Sequence, residues 1–307
     1  MNPDTKITSL QIKQICEKHN ITHRSHERIT YGFSHEVHRI NNDLIIKIFN
    51  TQHVNKFRTE RSALASEYTF QKPQLIASGT PDDIVDRYYI IMSYIPGKSL
   101  GSVWHLASDT QRKKLIASIC KNLRVINAID PTSMELQDKT SWQAYVLERV
   151  SSSTSELVKK NTIDAAVAKR TLAFAQESCK VLIGTNLYTT YWDIHFDNFI
   201  VNESFELQAL IDLENIELTS LDYPLFVIRK QMNDPAKYLN LEDEKHARLE
   251  DYEKLESWYR EYYPEMFAFD SLERRIQMYQ LLDALHLLEG WPQVKELYTT
   301  LDSLIGN

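Results

Sequence analysis

The chain opens on an apolar pattern at helical spacing, with Leu10, Ile12, Ile15 and Cys16 falling within residues 8–19. That period predicts an amphipathic helix with Ser9 as its N-cap. The texture then changes. "RITYGFSHEVHRI" and "NDLIIKIFN" alternate, are rich in β-branched residues, and are separated by turn formers at Asn41, Asn42 and Asp43, which predicts a β-hairpin. "KFRTERSALASEY" returns to a helical period, and "QLIASG" and "RYYIIMSYI" predict two more strands. Pro96 and Gly97 then punctuate the chain. Beyond them the pattern is helical over 109–129, 141–159, 162–183, 221–232, 242–262 and 271–289. The exception is 191–213, which predicts a short hairpin. No internal repeat and no low-complexity linker interrupts the series.

The order of these elements predicts the fold class. A small β-rich part (residues 1–95) precedes a larger, mainly helical part (96–307), with the junction at about Ile95–Gly97. Strands do not alternate with helices, so the pattern is not that of a doubly wound parallel sheet. It is an α+β layout resembling the bilobal protein-kinase-like fold. In that fold the N-terminal lobe binds nucleotide, and the helical C-terminal lobe carries the catalytic loop and acceptor pocket.

Bulk properties narrow the partners. The chain has 307 residues, long enough for a sizeable core, and is 43% hydrophobic and 25% charged, as ordinary globular proteins are. A formal net charge of -7 argues against non-specific nucleic-acid binding. A Mg²⁺-bound anion remains compatible with it, because the metal supplies local positive charge. Cys16, Cys120 and Cys179 are odd in number and widely spaced, so neither a disulfide framework nor a CxxC site is legible. The start lacks an apolar signal region, and no apolar run approaches the ~18 residues of a membrane span. A reducing cytoplasm is the expected compartment, which makes the "NES" sequon at Asn202 a chance match.

Chemistry concentrates at four places. Lys47 sits inside the apolar run "LIIKIF", where an unpaired ammonium is costly to bury. It is either an edge-strand lysine reaching solvent or the strand lysine of kinases, which contacts ATP phosphates and pairs with a helix glutamate. Glu60 on the following helix is the expected partner, with Glu67 the alternative. Gly32, Phe33 and Ser34 lie on the preceding hairpin, where backbone N–H groups would cover phosphates. His35 and His38 read as surface or strand residues. "IIMSYIPGKSL" reads as an interlobe hinge: Met92 would line the adenine pocket, and the Ser93 carbonyl and Ile95 N–H would hold the base. The "GKS" in it is not a P-loop, since Met92 stands where the motif requires another glycine.

"YWDIHFDNFIVN" and "LQALIDLENIE" complete the set. Asp193 and Asn198 have the D-x-x-x-x-N spacing of the kinase catalytic loop. The aspartate orients the acceptor hydroxyl and takes its proton, and the asparagine turns an amide oxygen towards a metal. Asp212 follows a strand run about twenty residues later, where kinases keep a Mg²⁺-chelating aspartate. Zinc is the poorer reading, because no cysteine is near and no third ligand has sensible spacing.

With these residues in place the chain resembles the aminoglycoside phosphotransferase and choline kinase group of small-molecule kinases, from about residue 20 to 290. "YGFSHEVHRI" is similar to that group's "GGFSNxVYRV", "YWDIHFDNFIVN" to its "HGDLHPDNILV", and "LIDLENIELTSLDYPLF" to its "VIDFExAxxGDPxYDLA". The resemblance implies that Asp193 is the catalytic aspartate, that Asn198 and Asp212 hold Mg²⁺, and that Lys47 contacts the nucleotide phosphates. It implies an ATP- and Mg²⁺-dependent kinase acting on a hydroxyl of a small molecule. Tyr191 and Trp192 depart from the usual His-Gly, and Trp192 would conflict with a backbone that needs φ > 0 there. That departure keeps a non-catalytic, nucleotide-binding relative as the alternative. A protein kinase fits less well, since no APE-like segment follows Asp212. Two features bear on the acceptor. The acidic stretch "LEDEKHARLEDYEKLESWYREYYPE" would attract a polyamine, but its Leu249, Tyr252, Leu255 and Tyr259 keep helical spacing, as a solvated helix face would. The 16 Tyr and 5 Trp would suit a cation cage or, equally, a helical core.

Overall fold

A computed structural model of the protein describes residues 6–29, 35–139 and 141–306. Gly32, Phe33 and Ser34 of the phosphate-covering expectation lie outside the described residues. The first helix, α1 (Ser9–Lys18), is capped by Thr8 in a reciprocal capping box with Gln11, not by Ser9. Its buried stripe is Ile12, Ile15 and Cys16. Leu10 points to solvent.

Strands β1 (His26–Ile29), β2 (Glu36–Ile40) and β3 (Leu44–Ile48), helix α2 (Val54–Ala65), and strands β4 (Leu75–Gly79) and β5 (Tyr89–Ser93) follow. The strands form one antiparallel sheet in the order β1-β2-β3-β5-β4. Asn41 and Asn42 take positive φ, 51° and 72°, at the β2–β3 turn, a conformation that asparagine tolerates better than other side chains. One face of the sheet packs Ile40, Ile46, Ile48 and Ile91 against α1. The other joins Met92, Phe49 and α2 to the main core, which continues unbroken into the helical part.

Next come β6 (Lys98–Ser99) and helices α3 (Leu100–Val103), α4 (Asp109–Asn127), α5 (Trp142–Lys159) and α6 (Ala165–Ser178). Four short strands follow: β7 (Tyr188–Tyr191), β8 (Phe199–Val201), β9 (Leu207–Leu210) and β10 (Ile216–Thr219). The chain ends with α7 (Leu225–Asn233), α8 (Leu255–Tyr262), α9 (Leu272–Gly290) and α10 (Lys295–Ile305). The class is therefore α+β, a β-rich N-terminal part followed by a mainly helical one.

The expected hairpin is β8–β9, and β6 adds a third strand to it. Gly97 makes that docking possible. Its φ is 147°, and a Cβ there would lie 2.5 Å from the Val201 carbonyl oxygen. The "GKS" residues thus tie the hinge to the hairpin.

One expectation needs correction, and two features lie outside those expected. The predicted helix 242–262 is helical only in α8. The Asp251 carbonyl accepts the Trp104 indole N–H at 2.9 Å, and its carboxylate pairs with Arg112 at 2.7 Å. These bonds hold a turn where an α-helix would have continued. The pairing of β7 with β10 is absent from the sequence pattern, because its partners are 25 or more residues apart. Helix α10 was also not expected, though Leu301 and Ile305 are buried one turn apart.

The helical part also buries a charged group. Arg275 on α9 donates to Asp222 at 2.6 Å and to Ser220 at 2.8 Å, and the Tyr279 hydroxyl donates to Asp222 at 3.0 Å. Each charge is paired and hydrogen-bonded, the condition under which burial is tolerated.

Candidate functional site

Lys47 is not an edge-strand residue. It lies on β3, between Val37 of β2 and Ile90 of β5, and its neighbours in sequence are buried as well. The ammonium is held by carboxylates. Glu60 of α2 accepts from it at 2.6 Å, Glu214 lies at 2.7 Å, and Asp212 is also hydrogen-bonded to it. Glu60 is therefore the helix partner, as expected over Glu67. Burial works against the charge on Lys47, but Asp212, Glu60 and Glu214 hold its pKa well above that of an ordinary lysine. Burial likewise pushes Glu60 up to about 7, against the pull of Lys47.

Glu214 was not singled out from the sequence, although it stands two residues beyond Asp212. It is almost fully buried, and three basic groups surround it. Lys56 of α2 donates to its other oxygen at 2.8 Å, and His35 lies at 2.7 Å. Burial alone would raise its pKa; Lys47, His35 and Lys56 hold it far below the usual carboxylate range. Of the two histidines read as surface or strand residues, His35 immediately precedes β2 with its side chain buried against Phe49, where burial lowers its pKa, and His38 lies on β2. His38 is buried too, hydrogen-bonded to Glu36 at 3.0 Å.

Asp193 and Asn198 lie on the loop between β7 and β8. The Asn198 side-chain nitrogen donates to the Asp193 carbonyl at 2.9 Å, and Asn215 donates to the Asp193 carboxylate at 2.9 Å. His195 stands 3.6 Å from the other carboxylate oxygen. Burial raises the Asp193 pKa above that of an ordinary aspartate, and His195 opposes it. The loop backbone is clamped from below. Gln231 of α7, almost fully buried, accepts from Phe196 N–H at 3.1 Å and donates to the Ile194 carbonyl at 3.3 Å. Neither Asn215 nor Gln231 has a signal in the sequence, because both act from other elements.

Asp212 follows β9 in left-handed backbone, φ 58° and ψ 53°. Its neighbour Ile211 donates its N–H to the Asn198 carbonyl at 2.9 Å. The loops bearing Asp193 and Asp212 are thus bonded side by side. Tyr191 and Trp192, which replace the usual His-Gly, both have structural roles. The fully buried Tyr191 hydroxyl donates to the Ile211 carbonyl at 2.9 Å. Trp192 donates its indole N–H to Glu217 at 3.3 Å and packs on Tyr223 and Phe226. Trp192 is not among the described residues with positive φ, so its bulk is accommodated.

At the hinge, Met92 is buried on β5. The Ser93 N–H donates to the Gln74 carbonyl and the Tyr94 N–H to the Asp43 carbonyl. Among the described residues nothing accepts the Ile95 N–H, which leaves it available to a ligand.

The acidic cluster has the donor set for a divalent cation. Oxygen atoms of Glu60, Asp212 and Glu214 lie within 4.8 Å of one another. They are hard donors of the kind that divalent cations take. Asn198 commits its amide nitrogen to Asp193, so its amide oxygen is the atom left for a cation.

A family model described as the phosphotransferase enzyme family matches residues 25–226. The chain belongs to the phosphotransferase enzyme family. It is a small-molecule kinase by that membership, with the α+β fold of its structural relatives. The GDP complex of wild-type aminoglycoside 2'-phosphotransferase-IIIa is similar at 16% identity over 98% of each chain, with a TM-score of 0.69. The gentamicin complex of APH(2")-IIa is similar at 14% identity over 99% of this chain and 97% of that one, with a TM-score of 0.70. The streptomycin-ATP ternary complex of the same enzyme gives 14% and 0.68 over the same shares. No curated protein sequence matches this phosphotransferase. No helix among its described residues is long and apolar enough to cross a membrane.

Proposed function

We propose that this phosphotransferase transfers the terminal phosphoryl group of ATP, bound with Mg²⁺, to a hydroxyl of a small molecule. The observation that carries the reading is the joint placement of Lys47 and Asp193. Lys47 stands between Glu60 and Asp212, while Asn215 holds the Asp193 carboxylate on the adjoining loop. In this reading Lys47, oriented by Glu60, binds the nucleotide phosphates. Met92, the Ser93 carbonyl and the Ile95 N–H hold the adenine, and Gly32, Phe33 and Ser34 cover the phosphates. Asn198 and Asp212 hold Mg²⁺, with Glu214 close by. Bound there, the metal supplies positive charge to the phosphoryl oxygens. Asp193 orients the acceptor hydroxyl and accepts its proton, a role that its raised pKa favours. Such a site works by positioning and charge stabilisation. GDP and ATP complexes among the similar structures make GTP the nucleotide to compare with ATP. The free, buried Cys16, Cys120 and Cys179 suit a reducing compartment such as the cytoplasm.

The test is ADP release from Mg-ATP by the purified protein across a panel of small hydroxyl compounds. Asp193→Asn is expected to leave ATP affinity within a few fold and to cut turnover by on the order of 10²–10⁴. Equal turnover in that variant would remove Asp193 from the role.

A further inference from the structure

Beside Asp193 the chain builds a wall of aromatic rings and ion pairs. Glu217 of β10 lies two residues beyond Asn215, whose side chain holds Asp193. Both Glu217 oxygens are engaged: Oε1 accepts the Trp192 indole N–H, and Oε2 accepts from Lys139 at 2.7 Å. Lys139 is buried, with Nζ 3.9 Å from the Tyr145 ring centre and 5.5 Å from that of Trp142. A carboxylate with two aromatic rings is the usual cage for an organic cation. Here the chain's own lysine fills it.

The opposite flank repeats the pairing. Phe226 and Lys230 lie one turn apart on α7, and Phe226 packs on Trp192. The Lys230 ammonium is hydrogen-bonded to Asp283 of α9 and stands 5.7 Å from the Tyr238 ring centre. Tyr238 in turn approaches His195, two residues from Asp193. Each carboxylate of the wall thus carries its own lysine.

We propose that the acceptor is a neutral polyhydroxyl compound of the sugar or polyol class, and not a polyamine or a quaternary amine; the proposal rests on the kinase reading above. A polycationic acceptor needs carboxylates without partners, whereas Glu217 is already paired with Lys139 and Asp283 with Lys230. An anionic acceptor would be repelled by the ionised Asp193 and by the carboxylates around Lys47. Hydroxyl groups can bond to either member of an ion pair without disturbing its charge balance. The half-buried Trp192 ring offers apolar surface to the C–H side of such a ring.

The experiment reads ADP release from Mg-ATP with myo-inositol, sorbitol and glucose against choline, kanamycin and gentamicin. Calorimetric titration of kanamycin into the Mg-ADP complex is run on the wild type, Lys139→Met and Lys230→Met. The second variant serves if the buried Lys139 site does not tolerate change. Turnover is expected with neutral compounds only, and kanamycin is expected to bind the variants about tenfold or more tighter than the wild type. The proposal is overturned if choline or an aminoglycoside has the higher kcat/KM, if no neutral compound is turned over, or if the lysine variants bind kanamycin no better. Failure of the kinase reading looks different: Mg-ATP then does not bind at all. A protein that binds Mg-ATP and prefers a polyamine keeps that reading and loses only the neutral acceptor.

Discussion

The Tyr191 hydroxyl donates a hydrogen bond to the Ile211 carbonyl, 2.9 Å away. Tyr191 ends β7, two residues before Asp193, and Ile211 immediately precedes Asp212. One side chain therefore spans the two loops that bear the proposed base and metal ligand. Tyr191→Phe keeps the ring and removes the bond, leaving a carbonyl without its donor. The expected cost in stability is about 1–2 kcal/mol. Turnover should fall several-fold while nucleotide affinity changes less. Urea melts and steady-state kinetics check both, and an unchanged kcat would confine Tyr191 to packing.

Gln231 sets the floor of the same loop. Its amide is bonded at both ends, to Phe196 N–H and to the Ile194 carbonyl. Gln231→Leu leaves both backbone groups buried without partners, at about 1–3 kcal/mol each. Gln231→Glu retains the acceptor for Phe196 N–H and loses the donor, so it should be milder in kcat. If the two variants have the same kcat once corrected for folded fraction, Gln231 does not position the loop.

The pH dependence of turnover should report Asp193. Burial raises its pKa, and the Asn215 hydrogen bond lowers it. Transfer needs the ionised carboxylate, so activity is lost as pH falls through a value above that of an ordinary aspartate. Asn215→Leu removes a bond to the charged form, and the acid limb of kcat should move to higher pH. A limb that stays in place, or moves down, would assign it to another group.

Stability at low pH should depend on Glu36. Burial opposes its charge, yet hydrogen bonds from His38, Arg87 and the Ile7 N–H bring its pKa from 4.5 to about 2. The folded value is depressed. Its contribution is therefore fully present above pH ~4.5 and is lost as pH falls towards 2. The urea midpoint should decline across that window, and Glu36→Gln should be destabilised at pH 7 with a flatter profile. Parallel profiles for the two proteins would count against this account.

Much was legible in the chain because local physics leaves local marks. The alternation of β2 and β3 around Asn41 and Asn42 marks a hairpin, since period 2 and turn chemistry are read within ten residues. The lysine inside "LIIKIF" was conspicuous because a buried ammonium requires a partner. Asp193, Asn198 and Asp212 were readable as a spacing, and so was the change from strands to helices at Pro96. What remained hidden depends on residues far apart in sequence. Glu214 reads as an ordinary acidic residue until Lys47 and Lys56 arrive from the sheet and α2. Asn215 and Gln231 carry no motif, because their function is to bond a loop that folds against them. The helix predicted over 242–262 was interrupted by Trp104 and Arg112, contributed from far earlier in the chain. Lys139 shows the division most directly. The sequence by itself determined that aromatic rings were plentiful and that a kinase-like set of polar residues was present. Only the tertiary structure decided that a lysine of the same chain sits among those rings, because burial and charge pairing are properties of neighbours in space.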